Sequence, residues 1–300
     1  MVSAVMFVYN EEKYIKEMLL SIINQTKKVD KIIIVDDQSD DGTKGVVDQF
    51  IIDYPNHDVL YHYNQKKGKV FAYSKGLSMV ETEYFFVCAG DDFLLPNFVE
   101  TLLGELSIKN CDFVYSKYYI VDSNLQKPIA VKRASVYTFD SLLKSNRVSG
   151  YLFGKRKVIS YVLPFPDGVT FEDWLTVLLL SKEYNVVHMS NEPLFKYRKH
   201  SASTTISLGE VGVRKRDIDF YNYILSANQF DFSKVQRNTI DLRLRYCRVM
   251  MDGGSMIEKM KLVFSKDTFF VDKIRLVLLL LPGINNSNDV YNLLQRVLNR

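Results

Sequence analysis

The sequence predicts an α/β protein: a mostly parallel central sheet between two helical layers, followed by a mostly helical C-terminal extension. Three observations predict it. Apolar segments short enough to be strands alternate with amphipathic ones from residue 2 to residue 92, the order that builds parallel sheets. Residues 32–35 and 84–88 are almost wholly apolar, as strands covered on both faces are. Both run straight into paired aspartates, Asp36-Asp37 and Asp91-Asp92, and ligands of open α/β sheets bind outside the carboxyl ends of the strands.

Residues 2–8 read as the first strand, and 11–24 as a helix with Ile15, Met18, Leu19, Ile22 and Ile23 at helical spacing. Residues 32–35 complete a βαβ unit. Ser39, Asp40 or Asp41 is placed to cap the next helix, which runs through Val46, Val47, Phe50 and Ile51 until Pro55 stops it. A strand over 59–63, the basic turn Lys66-Lys67-Gly68-Lys69 and a helix over 70–80 lead into the strand 84–88. Beyond it, 97–109, 139–144 and 174–184 read as helices and 113–121 and 186–189 as extended, in less regular alternation. After Gly209 the pattern is helical, with Tyr221, Ile224 and Leu225 in one stretch and Leu242, Tyr246, Val249 and Met250 in another, separated by Gly253-Gly254. The expected organisation is a domain over 1–208, with halves 1–96 and 97–208, and a helical extension over 209–300.

The 300 residues, 47% of them hydrophobic, supply ample core. A net charge of +4 gives no reason to expect nucleic acid. Residues 210–300 hold 15 Lys and Arg against 10 Asp and Glu, a net of +5, which leaves 24 against 25 in residues 1–209. Three widely spaced cysteines, Cys88, Cys111 and Cys247, fit reduced thiols in a cytoplasmic compartment better than a disulfide framework. No signal-peptide pattern precedes the first strand, and the apolar run over 276–282 is far shorter than a spanning helix.

Four constellations carry candidate chemistry. Tyr9-Asn10-Glu11-Glu12 and Asp36-Asp37-Gln38-Ser39-Asp40-Asp41-Gly42-Thr43 follow the first two strands; Tyr9 suits base stacking, and Asp37 can accept from a base N–H or a ribose hydroxyl, though the same residues also suit a capping turn. Gly90-Asp91-Asp92 suits a hard divalent cation shared with phosphate oxygens. Glu172-Asp173 opens a helix, where a carboxylate serves either as a cap or as a general base toward a hydroxyl. Tyr197-Arg198-Lys199-His200 is a basic turn that can close over a diphosphate or stay solvated, and His200 suits metal, phosphate or plain surface.

In this order and spacing, the motifs resemble glycosyltransferase family 2 over residues 2 to about 205. The resemblance rests on Asp36-Asp37-x-Ser39-x-Asp41-Gly42-Thr43, Gly90-Asp91-Asp92 with Pro96, Glu172-Asp173 and Tyr197-Arg198-x-His200. It implies the GT-A fold, with a nucleotide-sugar half over 1–96 and an acceptor half over 97–208. It further implies inverting transfer from a nucleotide-diphosphate sugar, UDP-linked by expectation, to a glycan or lipid-linked acceptor of bacterial surface polysaccharide. Tyr9, Glu11 and Asp37 would then contact the nucleotide, Asp92, grouped with them, would orient the site, and Asp91 would bind a Mn²⁺ or Mg²⁺ ion. Asp173 would be the catalytic base with Glu172 supporting it, and Arg198 and His200 would meet the diphosphate or close the site. The chain departs from the family where Ala89 replaces the first aspartate of Asp-x-Asp, and where Ala72-Tyr73-Ser74 replaces Ala-Arg-Asn.

Two rivals share parts of this pattern. A sugar-nucleotide pyrophosphorylase would show a Gly-rich loop after the first strand, where this chain has none; a noncatalytic scaffold subunit would have no need of Asp37, Asp91 and Asp173. In the tail, Phe269-Phe270-Val271 and the apolar run over 276–281 flank Lys273 and Arg275. That pattern suits a peripheral contact with the inner face of the membrane, a homodimer contact or a buried helix.

Overall fold

The computed structural model describes residues 1–298 apart from 132, 147, 149, 167, 168, 202, 266, 267, 269 and 282; Phe269 and Pro282 of the tail pattern thus lie outside the described residues. The chain divides into two compact units, Met1–His200 and Ser201–Arg300. In chain order the first holds β1 (Val2–Val8), α1 (Ile15–Ile23), β2 (Lys31–Asp36), α2 (Thr43–Asp53), β3 (Asp58–Tyr63), α3 (Lys69–Ser78) and β4 (Tyr84–Ala89). It continues through β5 (Phe93–Leu94), α4 (Phe98–Ile108), β6 (Phe113–Val121), β7 (Ile129–Ala130), β8 (Val136–Thr138) and α5 (Phe139–Lys144). β9 (Leu152–Lys155), a 3₁₀ turn over Arg156–Tyr161, α6 (Glu172–Tyr184) and β10 (Val186–Arg198) complete it.

The sheet runs β3-β2-β1-β4-β9-β6-β10-β5. Strands β3, β2, β1 and β4 are parallel, β9 enters antiparallel between β4 and β6, and β6 and β10 resume the parallel direction. Side chains of a strand alternate faces, and both faces are covered. Ala4, Met6, Val8, Ile32, Ile34, Phe86 and Cys88 pack with α1, α2 and α4. On the other face α3 lies so close that a Cβ on Gly76 would stand 2.6 Å from Val5 and 2.9 Å from Phe7.

The elements differ from the sequence pattern where loops claim residues for other contacts. Helix α1 starts at Ile15, not Glu11, because the Glu11 N–H donates to Thr43 Oγ1 at 2.8 Å and its carbonyl accepts from Tyr14 and Ile15. None of Ser39, Asp40 and Asp41 is the N-cap of α2, which is Gly42. Ser39 and Asp40 instead hold Asn10, at 2.9 and 2.8 Å, and Asp41 accepts from Thr43. Strand β10 runs on from Val186 to Arg198 through register shifts between Met189 and Phe195.

The second unit holds α7 (Thr204–Ser226), α8 (Lys234–Asp252), α9 (Met256–Phe264), α10 (Phe270–Leu278) and α11 (Ser287–Leu298). Helix α8 opens with a Ser233–Gln236 capping box and ends at Gly253, whose φ of 81° makes the left-handed C-cap. The Arg243–Asp272 ion pair, 2.6 Å long and buried, ties α8 to α10.

Candidate active site

Parallel pairing fixes where the motifs meet. Val8 stands opposite Asp36 and Phe7 opposite Ala89, so the loops after β1, β2 and β4 leave the sheet at one edge. The C-terminal end of β10 joins them: the Arg198 N–H donates to Asp92 Oδ1 at 2.9 Å. Of the predicted residues, Glu11, Asp91, Asp92, Arg198 and His200 are thereby gathered.

At the β2 end, Asp36 is buried and turned into the scaffold, accepting from the Ser39 N–H and the Tyr61 hydroxyl. Asp37 is half-buried, and its Oδ1 accepts from the Gly68 N–H at 2.7 Å and from Asn64 Nδ2 at 3.1 Å. Gly68 reaches it with φ of 140°, a conformation that favours glycine. Tyr9 is 44% exposed, with the Lys67 ammonium 4.5 Å over its ring and bonded to its hydroxyl at 3.2 Å. A cation on one face leaves the aromatic ring a platform for a base on the other.

At the β4 end the two aspartates part. Asp92 is buried, with Oδ1 on the Arg198 N–H and Oδ2 on the Tyr151 hydroxyl, which in turn accepts from the Ala89 N–H at 2.9 Å. Burial, with Asp91 adding to it, pushes the Asp92 carboxyl well up. Asp92 therefore faces inward and braces the loop. Asp91 is half-buried and its Oδ2 lies 3.0 Å from His200 Nε2. Burial and then the charges of Asp91, Asp92 and Asp41 push Glu11 up to about 9. Its Oε2 is buried without a hydrogen-bond partner.

Arg198 differs most from expectation. It is 2% exposed: Nε donates to the Asp91 carbonyl and Nη1 to the Ser123 carbonyl, both at 2.7 Å, Nη2 pairs with Glu17, and the guanidinium lies 4.5 Å over the Tyr14 ring. Each nitrogen of its planar fork is thus bonded to the fold. His200, 4.8 Å from the same Tyr14 ring, stays at Asp91.

The third acidic pair opens α6. Glu172 is buried and its Oε1 meets the Lys69 ammonium at 2.5 Å. Half-buried Asp173 accepts from Asn146 Nδ2 at 2.9 Å and from the Trp174 N–H at 2.8 Å. One turn on, Thr176 Oγ1 donates to the Tyr73 hydroxyl at 3.1 Å, so Lys69 and Tyr73 of α3 engage Glu172 and Thr176 of α6 in two rungs. Three consecutive residues at the start of α3 therefore touch three predicted groups: Lys67 at Tyr9, Gly68 at Asp37, Lys69 at Glu172.

Lys69, Asn146 and Tyr151 were absent from the predicted set. Lys69 stood in a visible basic turn, but nothing local names its partner; Asn146 and Tyr151 act across 27 and 59 residues of chain, a separation that leaves no local signal.

Among the described residues no three His, Cys, Asp or Glu side chains converge to hold a metal by themselves. Asp91, with the orphaned oxygen of Glu11 in the same cluster, fits a cation that takes its remaining ligands from a phosphate-bearing donor.

Comparison with known proteins gives this geometry a lineage. The sequence model of Glycosyl transferase family 2 matches residues 3–162. Glycosyltransferase GlyG of Streptococcus pneumoniae is 25% identical over 284 residues, 86% of this chain and 89% of its own length. The structure of S. aureus TarS 1-349 in complex with UDP-GlcNAc superposes with a TM-score of 0.60 at 16% identity, covering 98% of this chain and 91% of that one. Mannosyltransferase PcManGT from Pyrobaculum calidifontis, in complex with GDP-Man and Mn²⁺, superposes with a TM-score of 0.59 at 13% identity, covering 99% and 79%. A mixed α/β sheet of GT-A type, acidic motifs gathered at the edge where its strands end and a family match across more than half its length make this chain a member of glycosyltransferase family 2.

Proposed function

We propose that this glycosyltransferase moves a sugar from a UDP-linked donor to a hydroxyl of a glycan or lipid-linked acceptor in bacterial surface polysaccharide, with inversion at the anomeric carbon. The observation that carries the proposal is the stretch 67–69, which joins Tyr9 and Asp37 at one end to the Glu172-Asp173 pair at the other. Nucleoside recognition and a base for the acceptor are thus built on one short segment.

Tyr9 stacks on the base and Asp37 accepts from it through the oxygen that this stretch leaves open. Asp173 takes the proton of the acceptor hydroxyl as its oxygen bonds to the anomeric carbon, and the nucleoside diphosphate departs with the electron pair of the broken C–O bond. Asn146 and the Lys69–Glu172 pair hold Asp173 in place. A divalent cation, Mn²⁺ or Mg²⁺, held by Asp91 with Glu11 beside it, supplies positive charge to the donor's diphosphate when bound. Arg198 acts one step back as a positioning residue, its backbone N–H on the Asp92 carboxylate and its Nε on the Asp91 carbonyl. His200 sets the orientation of Asp91. Positioning and charge stabilisation account for most of such a displacement.

The test is a screen of nucleotide sugars for nucleoside diphosphate release, repeated on Asp173→Asn. UDP sugars are expected to be turned over. The variant is expected to lose about 10²- to 10⁴-fold in rate while binding UDP in calorimetry as the parent does. Full turnover by Asp173→Asn would remove that residue from the role.

A further inference from the structure

Helices α9 and α10 present an apolar surface that sugar transfer does not use. On α9, Met256, Ile257, Met260 and Phe264 are exposed, at the spacing of one helical face, with Phe264 74% open. On α10, Phe270, Val271, Ile274 and Val277 repeat the arrangement, with Phe270 77% open. The two helices pack together, and the Lys259 ammonium donates to the Leu279 carbonyl at 2.9 Å. Phe264 ends α9 and Phe270 begins α10. Soluble surfaces seldom leave so many large apolar side chains open on two packed helices unless they meet a partner.

Open charge on the same helices is predominantly positive, with exposed Glu258 the acidic exception. Glu258 is committed to the α9 capping box, bonded by the Ser255 N–H and hydroxyl, both at 2.9 Å. Asp272 is turned inward onto Arg243. Among the described residues, exposed Lys261 and half-buried Lys273 and Arg275 lie on the same two helices as the apolar side chains. An opposed second copy would set these cations against their own kind, whereas an anionic lipid surface complements them. Helices of this type lie in the bilayer interface, apolar side in the acyl boundary and cations at the headgroups. Among the described residues no helix is long and apolar enough to cross a membrane.

We infer that α9 and α10 form a monotopic docking face for an anionic bilayer. The inference stands independently of the transfer reading and is tested without substrate. The full chain is cosedimented with vesicles of phosphatidylcholine alone or of phosphatidylcholine with phosphatidylglycerol. The parent is expected to pellet with the anionic vesicles and to be released by high salt. Phe264→Ser with Phe270→Ser, and separately Lys261→Gln with Lys273→Gln, are each expected to reduce pelleting about tenfold. Both variants are expected to leave nucleoside diphosphate release from the donor, read without vesicles, unchanged. Equal pelleting with both vesicle types, or retention by both variants, would overturn the inference. So would a parent dimer that the phenylalanine variant dissociates, which would give the face to a second copy. Failure of donor turnover in the parent bears on the transfer reading alone.

Discussion

The Lys69–Glu172 pair offers the sharpest test of how the site is held. Glu172 is 5% exposed and Lys69 60%, at a separation of 2.5 Å. Removing one member of a fully buried pair costs about 3–5 kcal/mol, while an exposed pair contributes about 0–1 kcal/mol. Here the carboxylate is in the interior and the ammonium in water, so solvent screens one end only. Lys69→Met, which keeps the apolar stem and leaves the carboxylate uncompensated, is therefore expected to cost about 2 kcal/mol. Glu172→Gln returns a well-hydrated lysine to solvent and is expected to cost about 1 kcal/mol or less. The double variant should be no less stable than Lys69→Met alone, giving a coupling at least as large as the cost of Glu172→Gln in a double-mutant cycle. Trp174, the single tryptophan of the chain, lies buried beside the pair with its indole N–H on the Leu142 carbonyl at 3.0 Å. Its fluorescence during urea unfolding thus reports on this unit. Effects that add within about 0.3–0.5 kcal/mol would refute the argument that the lysine compensates the glutamate.

Tyr151→Phe removes the hydroxyl that bonds both Asp92 and the Ala89 N–H; leaving buried groups unsatisfied costs about 1–3 kcal/mol each, and an unchanged urea midpoint would deny Asp92 its bracing role. Chelation with EDTA should abolish transfer and added Mn²⁺ restore it, with Asp91→Asn needing over about tenfold more metal; full activity in EDTA would remove the metal from the scheme. Burial pushes the Asp112 carboxyl up, but its bonds to Lys155 and Lys157 outweigh this and hold it below its ordinary value of 3.8. A depressed carboxylate adds stability above that pH and loses it as pH falls through the folded value. Asp112→Asn should accordingly be less stable than the parent near neutrality, by about 1 kcal/mol or less because both lysines are open to water, and the two should converge well below pH 4; a gap that persists in acid would contradict the assignment.

The sequence disclosed what is local. Strand β1 and strand β6 fall on the expected residues because their apolar runs end abruptly, at Tyr9 and at Asp122. Helix α5 does so because Thr138 and Ser141 form a capping box. Strand β9, four residues long, escaped because it exists by virtue of β4 and β6 on either side of it. The acidic motifs were legible as strand ends and a helix start, but their division of roles was not. Arginine is a surface residue by habit, and only the gathering of Glu17, Tyr14, Ser123 and Asp91 makes the interior hospitable to Arg198.

Each acidic pair has an inner and an outer member. Asp36, Asp92 and Glu172 are buried, while their neighbours Asp37, Asp91 and Asp173 are half-open. Adjacent side chains leaving a strand point to opposite sides, and at a helix start they diverge by about 100°, so the two carboxylates of a pair do not share one task. In the proposed scheme one is the mount and the other the tool. Damage to these motifs is then expected to be of two kinds that an activity screen scores alike: alanine at an inner position should loosen the unit, and alanine at an outer position should leave an intact protein that does no chemistry. Reading the Trp174 unfolding midpoint beside product formation separates them, and assigns each acidic side chain to the scaffold or to the reaction.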